Sequence, residues 1–185
     1  MLELSGEWAL QQAGGTVAAP MRLPGDAISA LMDAGHLPDP YAGLNEYDCR
    51  WVGESDWVLS RSFTHDGSAS ELDCVAEIWL NGRQVLAADN QHRRYRSDVS
   101  AALVAGENHI EIRFASNARV AAERAAAQPW PVPFSKDNNP IAHGNMLRKV
   151  HCDFGWDWGI ALAPFGVYGD IRLVPLEQVA LRDVL

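Results

Sequence analysis

Cysteine is scarce in this 185-residue chain, which has only Cys49, Cys74 and Cys152. Three widely separated thiols provide neither a disulfide framework nor the paired spacing of a zinc site. The N-terminal stretch "MLELSGEWAL" has no basic segment followed by an apolar run, so it does not resemble a signal peptide. We therefore expect reduced thiols and a cytoplasmic location.

Long apolar runs and an excess of positive charge are also missing. No window reaches the roughly 18–20 apolar residues that a membrane-spanning helix needs. The 15 basic and 24 acidic side chains give a formal net charge of −9. This balance disfavours nucleic acid and anionic membranes as partners, although it is compatible with a neutral ligand.

The common catalytic and cofactor motifs are absent as well. The sequence contains no Gly-x-Ser-x-Gly elbow, no phosphate-binding glycine loop, no dinucleotide-binding Gly-x-Gly-x-x-Gly and no His-Glu-x-x-His. His143 and His151 lie near Cys152 and Asp153, but their spacing fits no common metal site. We expect no metal and no cofactor.

The sequence does contain β-strand patterns. Apolar and polar residues alternate in several short stretches, and Asn81-Gly82 is a strong signal for a tight hairpin between two apolar runs. The predicted strand regions are residues 7–11, 57–63, 72–89, 107–116, 169–177 and 179–185.

Two short helices are predicted beside these strands. One follows Asp26 and ends at Gly35, and the other is the alanine-rich stretch after Ser116. Residues 36–56 are predicted to be a loop, and residues 129–159 a long aromatic-rich loop with little periodicity. We predict an all-β sandwich with one or two short helices.

The stretch "HCDFGWDWG" places Asp157 between Trp156 and Trp158. Sugar sites combine aromatic rings, which pack on the C–H face of a pyranose, with carboxylates that accept hydrogen bonds from its hydroxyls. A buried hydroxyl left unpaired costs roughly 1–3 kcal/mol, so such partners must be well placed. The alternative is a structural plug at the end of the sandwich, with Asp157 held by a backbone N–H or by Arg148.

Four stretches resemble the N-terminal domain of the β-mannosidases of glycoside hydrolase family 2. They are "LPGDAISALMDAGHLPDPYAGLNEYDCRWVGESDWVLSRSF", "AEIWLNGRQV" with "GENHIEIRF", "HGNMLRKVHCDFGWDWG" and "APFGVYGDIRLVPLE". The resemblance implies a single galactose-binding-like jelly-roll domain over residues 1–185. It also implies that Asp157 and Trp156 contact a terminal β-mannoside in the active site of a following (β/α)₈ barrel, with Trp158 and Arg148 as supports.

The chain contains no catalytic residue on this interpretation. The retaining mechanism needs two glutamates on the barrel, and Asp153 and Asp157 are too close in sequence to replace them. We expect the chain alone to be inactive and to be a portion of a longer exo-β-mannosidase. Two alternatives remain open: a stand-alone carbohydrate-binding module and a purely structural sandwich.

Overall fold

The computed structural model describes residues 1–68, 70–74, 77–135, 137, 139–156 and 159–176; for residues 70–74 it describes the backbone. The strands in chain order are β1 Leu2–Glu3, β2 Gly6–Gln12, β3 Ala18–Leu23, β4 Gly25–Asp26, β5 Trp57–His65, β6 Ser70–Cys74, β7 Ile78–Leu80, β8 Arg83–Leu86, β9 Tyr95–Asp98, β10 Gly106–Phe114, β11 Phe154–Trp156, β12 Gly159–Ala161, β13 Gly166–Val167 and β14 Arg172–Pro175. The α-helices are α1 Ala27–Asp33, α2 Asn45–Cys49, α3 Trp51–Glu54 and α4 Asn117–Ala126.

Two antiparallel sheets form a sandwich. One has the strand order β3-β2-β5-β10-β7-β8, and the other has the order β1-β14-β6-β9. Strands β5 and β10 form the longest pairing, from Gly106 opposite His65 to Phe114 opposite Trp57. Two further hairpin-like pairs, β11 with β12 and β4 with β13, lie outside these sheets. The predicted all-β sandwich is confirmed.

The core lies between the two sheets and includes side chains of the larger sheet, of β14 in the smaller sheet (Leu173) and of α1. Trp8, Trp57 and Leu59 are almost fully buried. Each buried indole donates its N–H to a backbone carbonyl, Trp8 to Leu4 at 2.9 Å and Trp57 to Val52 at 3.0 Å. These bonds satisfy the indole donors, so burial of the rings carries no unpaired polar group.

Both predicted helices are present with the expected start signals. The Asp26 carboxylate accepts from the backbone N–H of Ser29 at 3.0 Å, and the Ser116 hydroxyl accepts from that of Arg119 at 3.1 Å. Gly35, which follows α1, has a φ of +76°, which suits glycine. The predicted hairpin is also confirmed, because Asn81 and Gly82 have φ values of 50° and 79°.

The prediction of a continuous loop over residues 36–56 is wrong. The described residues form four α-helices, more than the one or two that were predicted. Helices α2 and α3 lie in that segment, and neither has a side-chain cap at its start. Buried Cys49 and Val52 hold them against the sandwich. Their stability comes from tertiary packing, which sequence periodicity over four or five residues does not reveal.

Strand β3 was not predicted because Pro20 interrupts its pattern. The strand lies at the edge of its sheet and pairs only with β2, so the missing N–H of proline removes no ladder hydrogen bond that the sheet needs. The strand predicted at residues 179–185 lies outside the described residues. None of the helices in the described ranges is long and apolar enough to span a membrane.

Candidate functional site

The segment predicted to contact sugar forms a small hairpin. In it, Phe154 of β11 pairs with Ala161 of β12, and Trp156 pairs with Gly159. Trp156 is partly buried at the end of β11. Asp157 and Trp158, which stand between these strands in the sequence, lie outside the described residues. Of the two predicted sugar contacts, the structure therefore places only Trp156.

Close packing fixes the base of this hairpin. Phe154 is 1% exposed, and a Cβ on Gly144 would overlap its ring. Gly155 has a φ of +90°, and a Cβ there would lie 2.6 Å from the Cδ of Pro140 and 2.9 Å from the Cβ of Ala161. Glycine is required at both positions, because a side chain has no room at either of them.

Polar contacts close the base of the hairpin and attach one of its strands to a neighbouring segment. The carbonyl of Asp153, just before β11, accepts hydrogen bonds from the backbone N–H groups of Leu162 and Ala163, just after β12, at 3.2 and 2.7 Å. The Nε of Arg50, which lies between α2 and α3, donates to the carbonyl of Ala161 at 3.1 Å. The two arms of the hairpin are therefore bonded to each other at their base, and β12 is also bonded to the helical segment.

Asp153 forms an ion pair with Lys149, whose side chain is 11% exposed. The Lys149 ammonium also lies 6.0 Å from the ring centroid of Tyr168. Desolvation of its hydroxyl, together with the carboxylates of Asp153 and Asp26, raises the pKa of Tyr168 well above its usual value. Asp153 is thus an anchor for the base of the hairpin, with an ammonium partner of its own.

Arg148, predicted to support the loop, is held through its backbone. It forms a parallel bridge with Asn90, and its carbonyl accepts from the N–H of Gln91 at 2.9 Å. The Gln91 side chain in turn accepts from the N–H of Val150 at 3.2 Å. The exposed Arg148 guanidinium has no hydrogen bond or ion pair with the described residues. A supporting role for this side chain stays a prediction.

A cavity of about 500 Å³ lies beside Arg148. Glu77 and residues from the segments 88–92, 113–124, 147–149 and 165–169 contribute to its lining, and Trp156 does not. Its size is typical of one small-molecule site. Sequence reasoning missed this cavity because its five segments are far apart in the chain and converge only in the fold.

The cavity lining is richer in cations than the rest of this acidic chain. Arg113, Arg124, Arg148 and Lys149 contribute to it, against two acids, Glu77 and Asp89. Arg113 already bonds the Glu111 carboxylate at 2.7 and 3.0 Å, and Lys149 pairs with Asp153, so Arg148 has the most donors to spare. Such a lining can hydrogen-bond hydroxyl or carboxylate oxygens of a ligand or of another protein surface.

The His143–Asp153 region shows no metal site in the part of the chain that the structure describes, where no three His, Cys, Asp or Glu side chains cluster. His143 packs against Phe134 with ring centroids 4.7 Å apart, and its Nδ1 is buried without a hydrogen-bond partner. Cys49 and Cys152 are free thiols, buried and exposed respectively.

Comparisons with known proteins agree with this architecture. Residues 8–169 match the family described as "Glycosyl hydrolase 2 galactose-binding domain-like". The chain is 31% identical to a β-mannosidase of Capra hircus and 34% identical to β-mannosidase A of Emericella nidulans. These alignments cover 93% and 97% of this chain but only 21% and 20% of those proteins.

A solved structure gives the same result. The β-D-mannosidase of Dictyoglomus thermophilum superposes with a TM-score of 0.85 at 30% identity, over 94% of this chain and 22% of that one. The galactose-binding-like fold expected from the resemblance is confirmed. The chain spans about a fifth of the length of the relatives it matches, so those relatives carry much more polypeptide than this sandwich.

Proposed function

We propose that this chain, which belongs to the galactose-binding-like domain family of the glycosyl hydrolases of family 2, is the substrate-contacting accessory domain of an exo-acting β-mannosidase. Residues 1–185 form the domain, and a (β/α)₈ barrel that follows it carries the chemistry. The substrate is a terminal β-D-mannoside. The observation that carries the proposal is the anchored hairpin, which begins at buried Phe154 and reaches its last described residue of β11 at Trp156.

The proposed division of labour follows from the chemistry of retaining glycosidases. These enzymes use two carboxylic acids about 5–5.5 Å apart, one as nucleophile and one as general acid and base. In this chain Asp153 is ion-paired with Lys149 at the base of the hairpin, so we assign its carboxylate a structural role. The chain therefore binds and orients the sugar while the barrel supplies both glutamates.

The roles proposed for this chain's residues are binding roles. An ionised Asp157 can accept hydrogen bonds from two sugar hydroxyls at once. The ring of Trp156 excludes water beside that carboxylate, which strengthens those hydrogen bonds. Because the base of the hairpin is packed, its ordering adds little to the entropy cost of binding the sugar.

The main alternative is a stand-alone carbohydrate-binding module. The length of the relatives favours the accessory domain, since each matched β-mannosidase is about five times longer than its matched portion. Titration of the isolated chain with mannose and short β-mannosides separates the two functions. Saturable binding at micromolar concentrations supports the module, whereas half of a shared site binds weakly.

The decisive experiment is kinetic and uses the full-length protein. Asp157→Asn should lower kcat/KM for an aryl β-mannoside by about tenfold or more if the carboxylate binds the transition state more tightly than the substrate. Asp137→Asn is the matched control, since Asp137 is an exposed acid in the same long segment. Equal kinetics of the Asp157 variant and the control, with a lowered melting temperature, would assign Asp157 to structure instead of substrate binding.

A further inference from the structure

We propose that three exposed apolar side chains, Tyr41, Leu44 and Tyr47, form the surface on which the catalytic portion of the protein docks. We call this surface the 41–47 patch. Its residues are 78%, 74% and 56% exposed. The inference rests on the proposed function, because it assumes that a catalytic portion is present, and it adds where this domain meets that portion.

The 41–47 patch is held rigidly. The Asp39 carboxylate accepts from the backbone N–H of Tyr41 at 2.9 Å, and the Asp39 carbonyl accepts from the Asn45 side chain at 2.9 Å. Cys49 at the end of α2 is fully buried. An exposed apolar surface that is fixed in position is typical of an interaction site, since no local collapse can hide it.

Arg50 connects the patch to the candidate site. Its guanidinium lies over the Tyr47 ring at 4.4 Å and bonds the Glu46 carboxylate at 2.8 Å. The same guanidinium donates through Nε to the carbonyl of Ala161, at the end of β12. One side chain therefore bridges the patch and the hairpin that contains Trp156.

An interface between two domains needs more surface area than the hairpin alone can offer. Interfaces between domains of one chain bury about 600–1,500 Å² in total, or roughly 300–750 Å² on each side. A hairpin tip of a few residues supplies only part of that area. The two tyrosines of the patch, at their observed exposures, offer roughly 200–330 Å² more of largely apolar surface.

The length of the relatives points to the occupant of the 41–47 patch. The matched β-mannosidases and the matched crystal structure contain about four-fifths of their sequence outside the region aligned with this chain. If the hairpin contacts that portion, the 41–47 patch lies within the same contact, because Arg50 alone bridges the patch and the hairpin. The rival face is the cavity beside Arg148, whose lining includes Tyr168, 51% exposed.

Hydroxyl-radical footprinting of the full-length protein tests the proposal. Labelling of each residue is measured by mass spectrometry and compared with labelling of the denatured protein. We expect Tyr41, Leu44 and Tyr47 to be protected by about fivefold or more, as buried interface residues are. Val104, 49% exposed, is the control for an apolar side chain left in solvent.

A substitution in the patch gives the second measurement. Leu44→Asp should restore labelling of Tyr41 and Tyr47, because a buried unpaired carboxylate opposes docking. Trp57, 1% exposed, should stay protected if the sandwich remains folded. If Trp57 is labelled as well, the variant has unfolded. The docking proposal is then judged only by the labelling of Tyr41 and Tyr47 in the unsubstituted protein.

The outcomes separate this inference from the proposed function. If Trp156 is protected and the 41–47 patch is labelled freely, the inference is wrong and the proposed function stands. If Tyr168 is also protected in that experiment, the cavity face is the docking surface. Free labelling of both Trp156 and the patch would overturn the proposed function together with the inference.

Discussion

Replacing Gly155 by alanine should destabilise the domain more than any other single methyl group added to the hairpin. The backbone at Gly155 has a φ of +90°, where a Cβ is strained in any L-residue. The added methyl would also lie 2.6 Å from the Cδ of Pro140 and 2.9 Å from the Cβ of Ala161. Both contacts are shorter than van der Waals separation, and one partner is a rigid ring.

The magnitude follows from these two effects. The left-handed backbone costs about 1–2 kcal/mol for a residue with a Cβ, and overpacking at a filled site costs about 1–3 kcal/mol more. Together they predict a loss of about 2–5 kcal/mol from a domain whose total free energy of unfolding is of the order of 5–15 kcal/mol. At about 2–4 °C per kcal/mol for a domain of this size, that loss lowers the Tm by roughly 4–20 °C.

Gly159→Ala is the matched control, because Gly159 lies on the other strand of the same hairpin. Its φ lies outside the left-handed region, and among the described residues no atom beyond its chain neighbours lies within 4 Å of a Cβ built there. Urea unfolding of the two variants should give a change within about 0.5 kcal/mol for Gly159→Ala. Equal stability of both variants would refute the account of how the hairpin base is fixed.

Two further predictions concern titration and thiol chemistry. The hydrogen bond from the backbone N–H of Ser116, at 2.6 Å, is the main cause that holds the pKa of Asp56 below its usual value. The Asp56 carboxylate therefore stabilises the fold at pH values above the usual aspartate pKa of about 3.9, and this stabilisation is lost as the pH falls through the lower pKa of the folded state. In urea titrations, the difference in free energy of unfolding between wild type and Asp56→Leu should therefore shrink below about pH 4. A difference that stays constant with pH would contradict this. In a Cys74→Ser background, the exposed Cys152 thiol should react with a thiol reagent in the native state. The Cys49 thiol should react only on unfolding, because it is fully buried and burial raises its pKa. Equal reaction rates of the two thiols would disprove the burial of Cys49.

Much of the fold could be predicted because local rules and tertiary structure agree. Asn81 and Gly82 are the residues that a tight hairpin turn requires, and the structure uses both with positive φ. Helices α1 and α4 have capping residues that can be recognised in the sequence. Strand β3 and helices α2 and α3 were missed because their stability depends on neighbours: an edge position tolerates Pro20, and the buried Val52 fixes a helix of four residues.

The candidate site was predictable only in part, for a similar reason. The motif around Trp156 is continuous in sequence, but its residue types left a sugar contact and a structural plug both open, and it was the family resemblance that favoured the sugar contact. The ion pair of Lys149 with Asp153 also lies within one stretch, yet nothing in the pattern distinguishes a paired acid from a free one. The cavity beside Arg148 joins five distant segments, and the bond from Arg50 to Ala161 spans 111 positions.

The anchoring of the hairpin decides how substitutions at this site should be interpreted. A side chain that touches the sugar changes kcat/KM directly, through binding of the transition state. A residue at the base, such as Phe154 or Gly155, changes kcat/KM only by moving the hairpin, and a displacement of about 1 Å can cost 10²-fold in rate. Loss of activity together with loss of stability therefore indicates the base, and loss of activity at unchanged stability indicates the contact. On the proposed function, Gly155→Ala should therefore lower both the stability and kcat/KM, whereas Asp157→Asn should lower kcat/KM at unchanged stability.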